Sequence, residues 1–308
     1  MSELSANQSK VLDCGHEVLD TEQCHYCLYI QDNLIKELSS PKDTLGQTRD
    51  FSHPDEFQFI LVHQSCELSF KGYLFEAKRA ITAIQEGQFE VASALIERCR
   101  SWTLIAARQL QHLVDYLTPE DFAFFREFLS PASGAESIRF RLIELITGIK
   151  PDSPYVAHRG HLYSFRQFLD RTPTEGIGRP KTRWWTEEMT QVAQQATLRS
   201  VFLTAAQNNG FSHLTSLESN EQMVVIARDL LMSEQHIREL AMSLVRLEKA
   251  ILTVRKVHMN AARKHIANDN GTGHTDGVAY LHSVLETARC FPALHQAYEL
   301  LEREGLLT

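Results

Sequence analysis

A single histidine on an otherwise apolar helix face, followed by a glycine-rich turn, is the stretch of this sequence best suited to chemistry. Apolar residues at steps of three and four, including Ile251 and Val254, lead up to His258 on one predicted face. The helix must end where Asn, Asp and Gly crowd together at 268–273. One imidazole beside a loop that can lay backbone and a hydroxyl over a ligand suits a haem-type site with a bound substrate. The alternative is a core histidine followed by an ordinary interhelical loop.

Polar side chains also interrupt an apolar helix face in the segment 56–86. Phe59, His63 and Glu67 share one face of this predicted helix. A buried imidazole and a buried carboxylate need partners. We therefore expect the two groups to bind either each other or a ligand.

Four soft metal ligands lie close together near the N-terminus. Cys14, His16, Cys24 and Cys27 offer three thiolates and an imidazole, which is the ligand set of a structural zinc site. The alternative is a set of reduced, partly buried thiols. Six cysteines in 308 residues do not resemble the disulfide framework of a secreted protein.

Helices must position these groups, because helical periodicity dominates the chain and no convincing alternating strand is found. Ser52 and Thr118 each precede a Pro and an acidic residue, a pattern typical of helix starts. Residues 151–183 are looser, and we expect short helices and loops there. Helices are expected at about 26–38, 56–86, 89–117, 119–129, around 140, 184–208, 220–265 and 278–304, the last interrupted near 290–292.

Composition excludes several classes of function. The net charge of −8 argues against nucleic acid as a main partner, because phosphate binding needs a basic surface. No apolar run reaches the roughly 18–20 residues of a membrane span, and the N-terminus lacks the apolar core of a signal peptide. We therefore predict a cytoplasmic protein with no membrane partner.

Three blocks of sequence, in order, carry a family likeness. The run 55–71, DEFQFILVHQSCELSFK, resembles the DE-x-x-F-I-x-x-HQ-x-x-EL-x-x-K signature of tryptophan 2,3-dioxygenases. The run 117–144, from LTPEDF through FR and LSPASG to FRLIE, is similar to the same family nearly residue for residue. The stretch 254–281 resembles the family's third block, in which a histidine precedes Gly-Thr-Gly. The likeness covers about residues 26–295.

The resemblance implies a role for each aligned residue. His258 aligns with the proximal haem ligand and His63 with the distal histidine near the indole N–H. Arg126 falls where the family binds the substrate carboxylate, and Thr272 where it binds the amino and carboxylate end. The remaining implied substrate-binding positions are Phe59, Phe122 and Ser133 in the pocket wall, and Tyr26 and Tyr29 as tyrosines that reach a neighbouring subunit's site.

The resemblance also implies the whole protein's organisation. The fold would be all-α, a long-helix bundle that encloses a b-type haem pocket, assembled as a homotetramer. The haem-binding oxygenase domain would span 26–308, after a Cys-rich segment at 1–25. Its cofactor would be ferrous haem b, whereas the structural zinc considered above is predicted from the cysteines and His16 and not from the resemblance. Its substrates would be O2 and L-tryptophan or a close analogue, giving an N-formylkynurenine type of product.

Three departures from the family pattern leave the reaction open. His274 lies where the family's Gly-Thr-Gly-Gly-Ser motif has its third glycine. Val254 and Ser69 lie where the family has tryptophans. A haem enzyme that inserts one oxygen atom, giving a hydroxylated or oxindole-type product, is therefore the second hypothesis. A haem-binding sensor without turnover is the third. It is disfavoured because the chain retains both His63 and Arg126.

Overall fold

The computed structural model describes residues 10–11, 17–18, 29–43, 46–129, 134–158, 161–170, 184–266 and 278–307. These residues divide into two compact units, one up to Phe51 and one from Ser52 onward. Several predicted site residues lie outside the described ranges: Cys14, His16, Cys24, Tyr26, Cys27, Ser133, Thr272 and His274.

The smaller unit contains a short hairpin and a short helix. Strand β1 (Lys10–Val11) pairs antiparallel with β2 (Glu17–Val18). Helix α1 spans Asp32–Glu37. Gln31 has a left-handed φ of 59°, which separates α1 from the helical residues 29–30 that precede it. The helix expected at about 26–38 is thus interrupted in its described part.

Three long helices form the core of the larger unit. Helix α2 (Asp55–Gln85) packs along α3 (Phe89–Tyr116), and α3 packs in turn against α10 (Ile237–Ile266). Gly87 takes a φ of 73° at the reversal between α2 and α3, a conformation that glycine adopts at no steric cost. The other helices are α4 (Pro119–Leu129), α5 (Ile138–Thr147), α6 (Phe165–Asp170), α7 (Glu187–Ala193), α8 (Leu198–Asn208), α9 (Glu221–Met232), α11 (Val278–Thr287) and α12 (Pro292–Arg303). The predicted all-α fold class is confirmed.

Local hydrogen bonds explain where α2 and α4 begin. The Thr118 hydroxyl accepts from the backbone N–H of Asp121 at 3.1 Å, as its sequence pattern predicts. At α2 the roles are reversed: the buried Glu56 carboxylate accepts from the backbone N–H and the hydroxyl of Ser52, at 3.1 and 3.0 Å. Both arrangements satisfy polar groups that a helix start would otherwise leave unpaired.

The segment 151–183 was expected to contain short helices and loops; its described part contains the short helix α6 and also a hairpin that was not expected. Strands β3 (Pro154–His158) and β4 (His161–Ser164) form an antiparallel hairpin there. A register shift between Pro154 and Val156 breaks the alternation, so Tyr155 and Val156 are both buried although they are neighbours. Burial of these side chains against helices, rather than periodicity, determines the hairpin.

The expectation of one long helix at 220–265 was wrong. Helix α9 ends at Met232, and α10 begins at Ile237. The carbonyl of Leu230 accepts from the Ser233 hydroxyl at 2.8 Å, and that of Leu231 from Arg238 Nε at 2.7 Å. Side chains thus satisfy the last carbonyls of α9, and no Gly or Pro is needed to end it. The helix expected at 184–208 is likewise two helices, because Thr197 and Ser200 form a capping box that starts α8.

Among the helices of the described ranges, none is long and apolar enough to cross a membrane.

Candidate functional site

A cavity lies in the larger unit between α2, α5, α10 and α11. The empty space between its walls, counting the part open to solvent, is about 760 Å³. Most of the wall is apolar, with a small number of polar groups directed inward. The lining includes Phe70, Leu110, Phe140, Val254 and Val284 among the apolar residues, and His63, Glu67, Ser137, Arg141, Arg255 and His258 among the polar ones.

His258 is the cavity's candidate metal ligand. It lies on α10 one turn after Val254, on the predicted face, and it is half-buried because its ring borders the cavity. Burial lowers the pKa of His258 to about 4, and the charges on His63 and Arg141 act in the same direction. The imidazole is therefore neutral at pH 7. No hydrogen bond joins either ring nitrogen to another described residue, so a lone pair is available for a metal.

Gly134 keeps the coordinating edge of His258 accessible. A Cβ atom on residue 134 would lie 3.2 Å from Cε1 and 3.3 Å from Nε2 of His258. Any larger residue would therefore crowd Nε2 of His258, a nitrogen that is available to a metal. Gly134 begins a short 3-10 helix, Gly134–Glu136, just before α5.

His63 is held in one orientation by its own helix. Its Nδ1 lies 2.7 Å from the Phe59 carbonyl oxygen one turn earlier. Because a carbonyl only accepts, Nδ1 carries the proton and Nε2 is left as an acceptor. Burial lowers the pKa of His63 from its ordinary value, while the Phe59 hydrogen bond and Glu67 oppose the shift. The structure thus provides a neutral imidazole whose accepting nitrogen is not used by the helix.

Aromatic rings pack behind His63. The Phe59 ring lies 4.2 Å from the His63 ring, 5.7 Å from that of Phe122 and 5.4 Å from that of Phe125. Phe122 also contacts His265, whose Nε2 donates to the Leu117 carbonyl at 3.0 Å. The cluster connects α2, α4 and the end of α10, and it fixes the position of the His63 ring.

Glu67 does not bind His63, although the two side chains share the predicted face. The Glu67 carboxylate accepts from the Ser137 hydroxyl at 2.5 Å and from Arg139 at 3.1 Å. Ser137 also caps α5 by accepting from the Phe140 N–H. Glu67 therefore fixes α2 to the start of α5. His63 was expected to bind either Glu67 or a ligand, so a ligand remains as its expected partner.

Sequence reasoning missed a buried charged cluster in the cavity wall. Arg255 donates to Glu144 at 2.5 Å, Arg141 lies 2.8 Å from the other Glu144 oxygen, and Tyr155 donates to Glu144 at 3.0 Å. All four side chains are at most 6% exposed. Two guanidinium groups share one carboxylate, so the cluster carries a net charge of about +1. The Arg-x-x-Glu spacing at 141–144 was the available signal, since residues three apart meet on a helix.

These residues fit a haem group. A neutral imidazole binds iron, and apolar walls suit a porphyrin. The excess positive charge of the cluster suits the acidic side chains of haem, and Nε of both Arg141 and Arg255 is buried without a hydrogen-bond partner.

The structure brings only part of the predicted site together. His63 and His258 line one cavity, and Phe59 and Phe122 pack directly behind His63. Arg126 lies on α4 one turn after Phe122; it is half-buried and is not among the residues that line the cavity. Tyr29 belongs to the smaller unit, where it is 88% exposed. The roles of these residues stay predictions.

Comparison with known proteins agrees with this geometry. The family model described as tryptophan 2,3-dioxygenase matches residues 11–200. A tryptophan 2,3-dioxygenase of Caulobacter vibrioides is 30% identical over 252 residues, which cover 78% of this chain and 87% of that protein. One from Bacillus thuringiensis subsp. konkukian is 27% identical over 305 residues, 94% of this chain and 98% of that protein. A third, from Bdellovibrio bacteriovorus, is 36% identical over 133 residues, 41% of this chain and 35% of that protein.

An all-α fold with a buried, neutral imidazole facing an apolar cavity, together with these matches, defines a haem-dependent oxygenase. Within that class, the chain belongs to the tryptophan 2,3-dioxygenase family.

Proposed function

We propose that this protein adds both atoms of O2 across the C2–C3 bond of the indole ring of L-tryptophan, giving N-formylkynurenine. The observation that carries the proposal is the pair of neutral imidazoles, His63 and His258, on the wall of one apolar cavity in a member of this family. The His258 imidazole would bind the iron, and the His63 imidazole would orient the indole.

His258 and the buried charged cluster hold the cofactor. His258 would bind the haem iron, and Arg141 and Arg255 would bind the acidic side chains of haem. Bound haem iron supplies the binding and activation of O2, a chemistry that no amino-acid side chain performs. The low pKa of His258 supports this role, because a protonated imidazole cannot be a ligand.

His63 orients the substrate. With its Nδ1–H bound to Phe59, its Nε2 accepts a hydrogen bond from the indole N–H and stabilises positive charge that develops on that nitrogen. An indole N–H is too weak an acid for outright proton removal by an imidazole. His63 is thus an orienting group whose loss slows the reaction without abolishing it.

The amino-acid end of the substrate is bound by Arg126 and Thr272. Arg126 binds the carboxylate through two parallel hydrogen bonds, and Thr272 binds the amino and carboxylate end. Tyr26 and Tyr29 of a neighbouring subunit complete the site in a homotetramer. The 88% exposure of Tyr29 supports a partner for that side chain.

A second candidate reaction is insertion of one oxygen atom. One observation favours it: Val254, where the family has tryptophan, lines the cavity one turn before His258. The smaller side chain leaves room for a different tilt of the substrate. This reaction would also need an external two-electron donor, because the second oxygen atom must leave as water.

Turnover of L-tryptophan under 18O2, followed by mass spectrometry, tests the proposal. Dioxygenation places two 18O atoms in the product, before any exchange of the formyl oxygen, and needs no reductant. A product with one 18O atom that forms only with a reductant would establish the second reaction instead.

A separate experiment tests the haem ligand. Purified His258→Ala should lose the Soret band, while His213→Ala, which replaces an exposed histidine, should retain it.

The N-terminal cysteines are proposed to bind zinc. Cys14, His16, Cys24 and Cys27 would fix the segment that carries Tyr26. Metal analysis of protein purified without chelators should find one zinc per chain in the wild type and none in Cys24→Ser. Wild-type protein with only trace zinc would contradict this assignment.

A further inference from the structure

A second pocket lies on the other side of the turn that joins α11 to α12. Its free volume is about 1440 Å³, counting the part open to solvent, and its wall is mainly polar. It shares no lining residue with the haem cavity. Three guanidinium groups from different parts of the chain line it: Arg199 from α8, Arg289 from the turn and Arg303 from α12.

Arg289 is the unusual member of this set. Its Nη1 atom is buried and has no hydrogen-bond partner. Within the described ranges no carboxylate forms an ion pair with its guanidinium. Arg289 as a whole is only half-buried, but a buried guanidinium N–H without an acceptor is costly, so proteins retain one where a ligand or partner supplies the acceptor.

The acids of the pocket wall are engaged elsewhere. Glu218 binds Arg199 at 2.5 Å. Glu299 lies 3.3 Å from His295 Nε2, and Glu286 lies 3.7 Å from His282. None of these three carboxylates of the pocket wall forms an ion pair with Arg289.

The turn that carries Arg289 is fixed on both sides by α10. On one side, Arg255 donates to the Ala288 carbonyl. On the other, Glu248 accepts from the backbone N–H of Cys290 at 2.6 Å and of Phe291 at 3.1 Å. Arg255, which binds one side of this turn, also lines the haem cavity.

We propose that Arg289 is the anchor of a second ligand site, which binds a small oxyanion, a carboxylate or a phosphate, through two parallel N–H donors. The bound anion neutralises the guanidinium and stabilises the turn between α11 and α12. The site is separate from the proposed tryptophan site and does not depend on turnover.

Calorimetric titration of the haem-loaded wild-type enzyme with sodium succinate, and separately with inorganic phosphate, in a buffer free of both, tests the site. One of the two should bind with a stoichiometry of one per chain. Arg289→Gln should weaken that binding roughly ten- to hundredfold, the effect of losing charge-assisted hydrogen bonds. Arg98→Gln, which removes an equal charge from an exposed position outside the pocket, should bind as the wild type does.

Thermal melting distinguishes a ligand site from a structural role of Arg289. Without added anion, Arg289→Gln should melt at or above the wild-type temperature, because it removes a buried guanidinium N–H that has no acceptor. The anion should raise the melting temperature of the wild type only. Absence of binding of both probes at millimolar concentration, or a lower melting temperature for anion-free Arg289→Gln, would overturn the proposal. Neither result would bear on tryptophan turnover.

Discussion

At the scale of single residues, burial determines which protonation states the site uses. Withdrawal from water lowers the pKa of both His63 and His258, so both rings are neutral at pH 7. The Phe59 carbonyl then selects the Nδ1–H form of His63. Both histidines are thus neutral, but they have different neighbours, which supports the different roles proposed for them.

Replacement of His63 by alanine should slow tryptophan turnover by roughly ten- to several hundredfold without abolishing it, because orientation by one hydrogen bond is lost. The ratio of products should broaden, since the indole can then tilt. Steady-state kinetics with product analysis checks both effects, with His213→Ala as the control. A His63→Ala variant that melts early but keeps wild-type kcat and product ratio at low temperature would show that His63 only packs the core.

Replacement of Arg126 by glutamine should lower kcat/KM for tryptophan by about 2–4 kcal/mol of transition-state binding, with haem content unchanged. The reason is the loss of a two-pronged contact to the carboxylate. Arg108→Gln, at an exposed position of α3, is the matched control. If the wild type turned over tryptamine, which lacks the carboxylate, as fast as tryptophan, Arg126 would have no such role.

At the scale of elements, one buried carboxylate joins three parts of the larger unit. Glu144 on α5 binds Arg255 on α10 and Tyr155 on β3, and it pairs with Arg141 on its own helix. The hairpin, which lies in the segment expected to be a loose insert, thereby becomes part of the haem cavity wall. Removal of the carboxylate would leave two guanidinium groups in a nonpolar environment.

Replacement of Glu144 by glutamine should therefore destabilise the protein by about 3–5 kcal/mol, the cost of breaking a buried ion pair. Urea unfolding of the haem-free protein measures this directly. Glu97→Gln provides the comparison, because Glu97 pairs with Arg246 and Arg100 at a site 34% exposed. Its loss should cost no more than about 1 kcal/mol. Equal effects of the two substitutions would contradict the importance of the buried cluster.

At the scale of the whole molecule, α2 exposes a regular apolar stripe. Leu61, Leu68 and Phe75 recur every seven residues and are 39%, 60% and 63% exposed. A heptad of exposed apolar side chains along a long helix is typical of a helix–helix interface. We therefore expect this stripe to lie between subunits of the proposed homotetramer.

The double substitution Leu68→Glu and Phe75→Glu should dissociate the homotetramer, because four new charges per subunit pair cannot be buried there. Light scattering coupled to gel filtration measures the mass. Val225→Glu, which introduces a charge at a 53% exposed position of α9, should leave assembly unchanged. A wild-type monomer, or a tetramer that survives the double substitution, would place the interface elsewhere or exclude it.

The sequence by itself determined the fold class and the helix faces on which His63 and His258 lie. Helical periodicity around His258 and His63 could be predicted because each helix repeats its apolar residues on one face. The Thr118 cap could be predicted because its hydrogen bond spans only three residues. Each of these features depends on neighbours within one or two helical turns.

Only the tertiary structure decided the features that depend on residues far apart in the chain. Glu144 and Arg255 are 111 residues apart. The addition of Arg255 to the neutral Arg141–Glu144 pair gives the cluster a net positive charge that neither local pattern contains. The β3–β4 hairpin forms because Tyr155 and its neighbours are buried against helices. Nor could the sequence show that Nη1 of Arg289 is buried without a hydrogen bond to any described residue, because that depends on the groups that surround it in space.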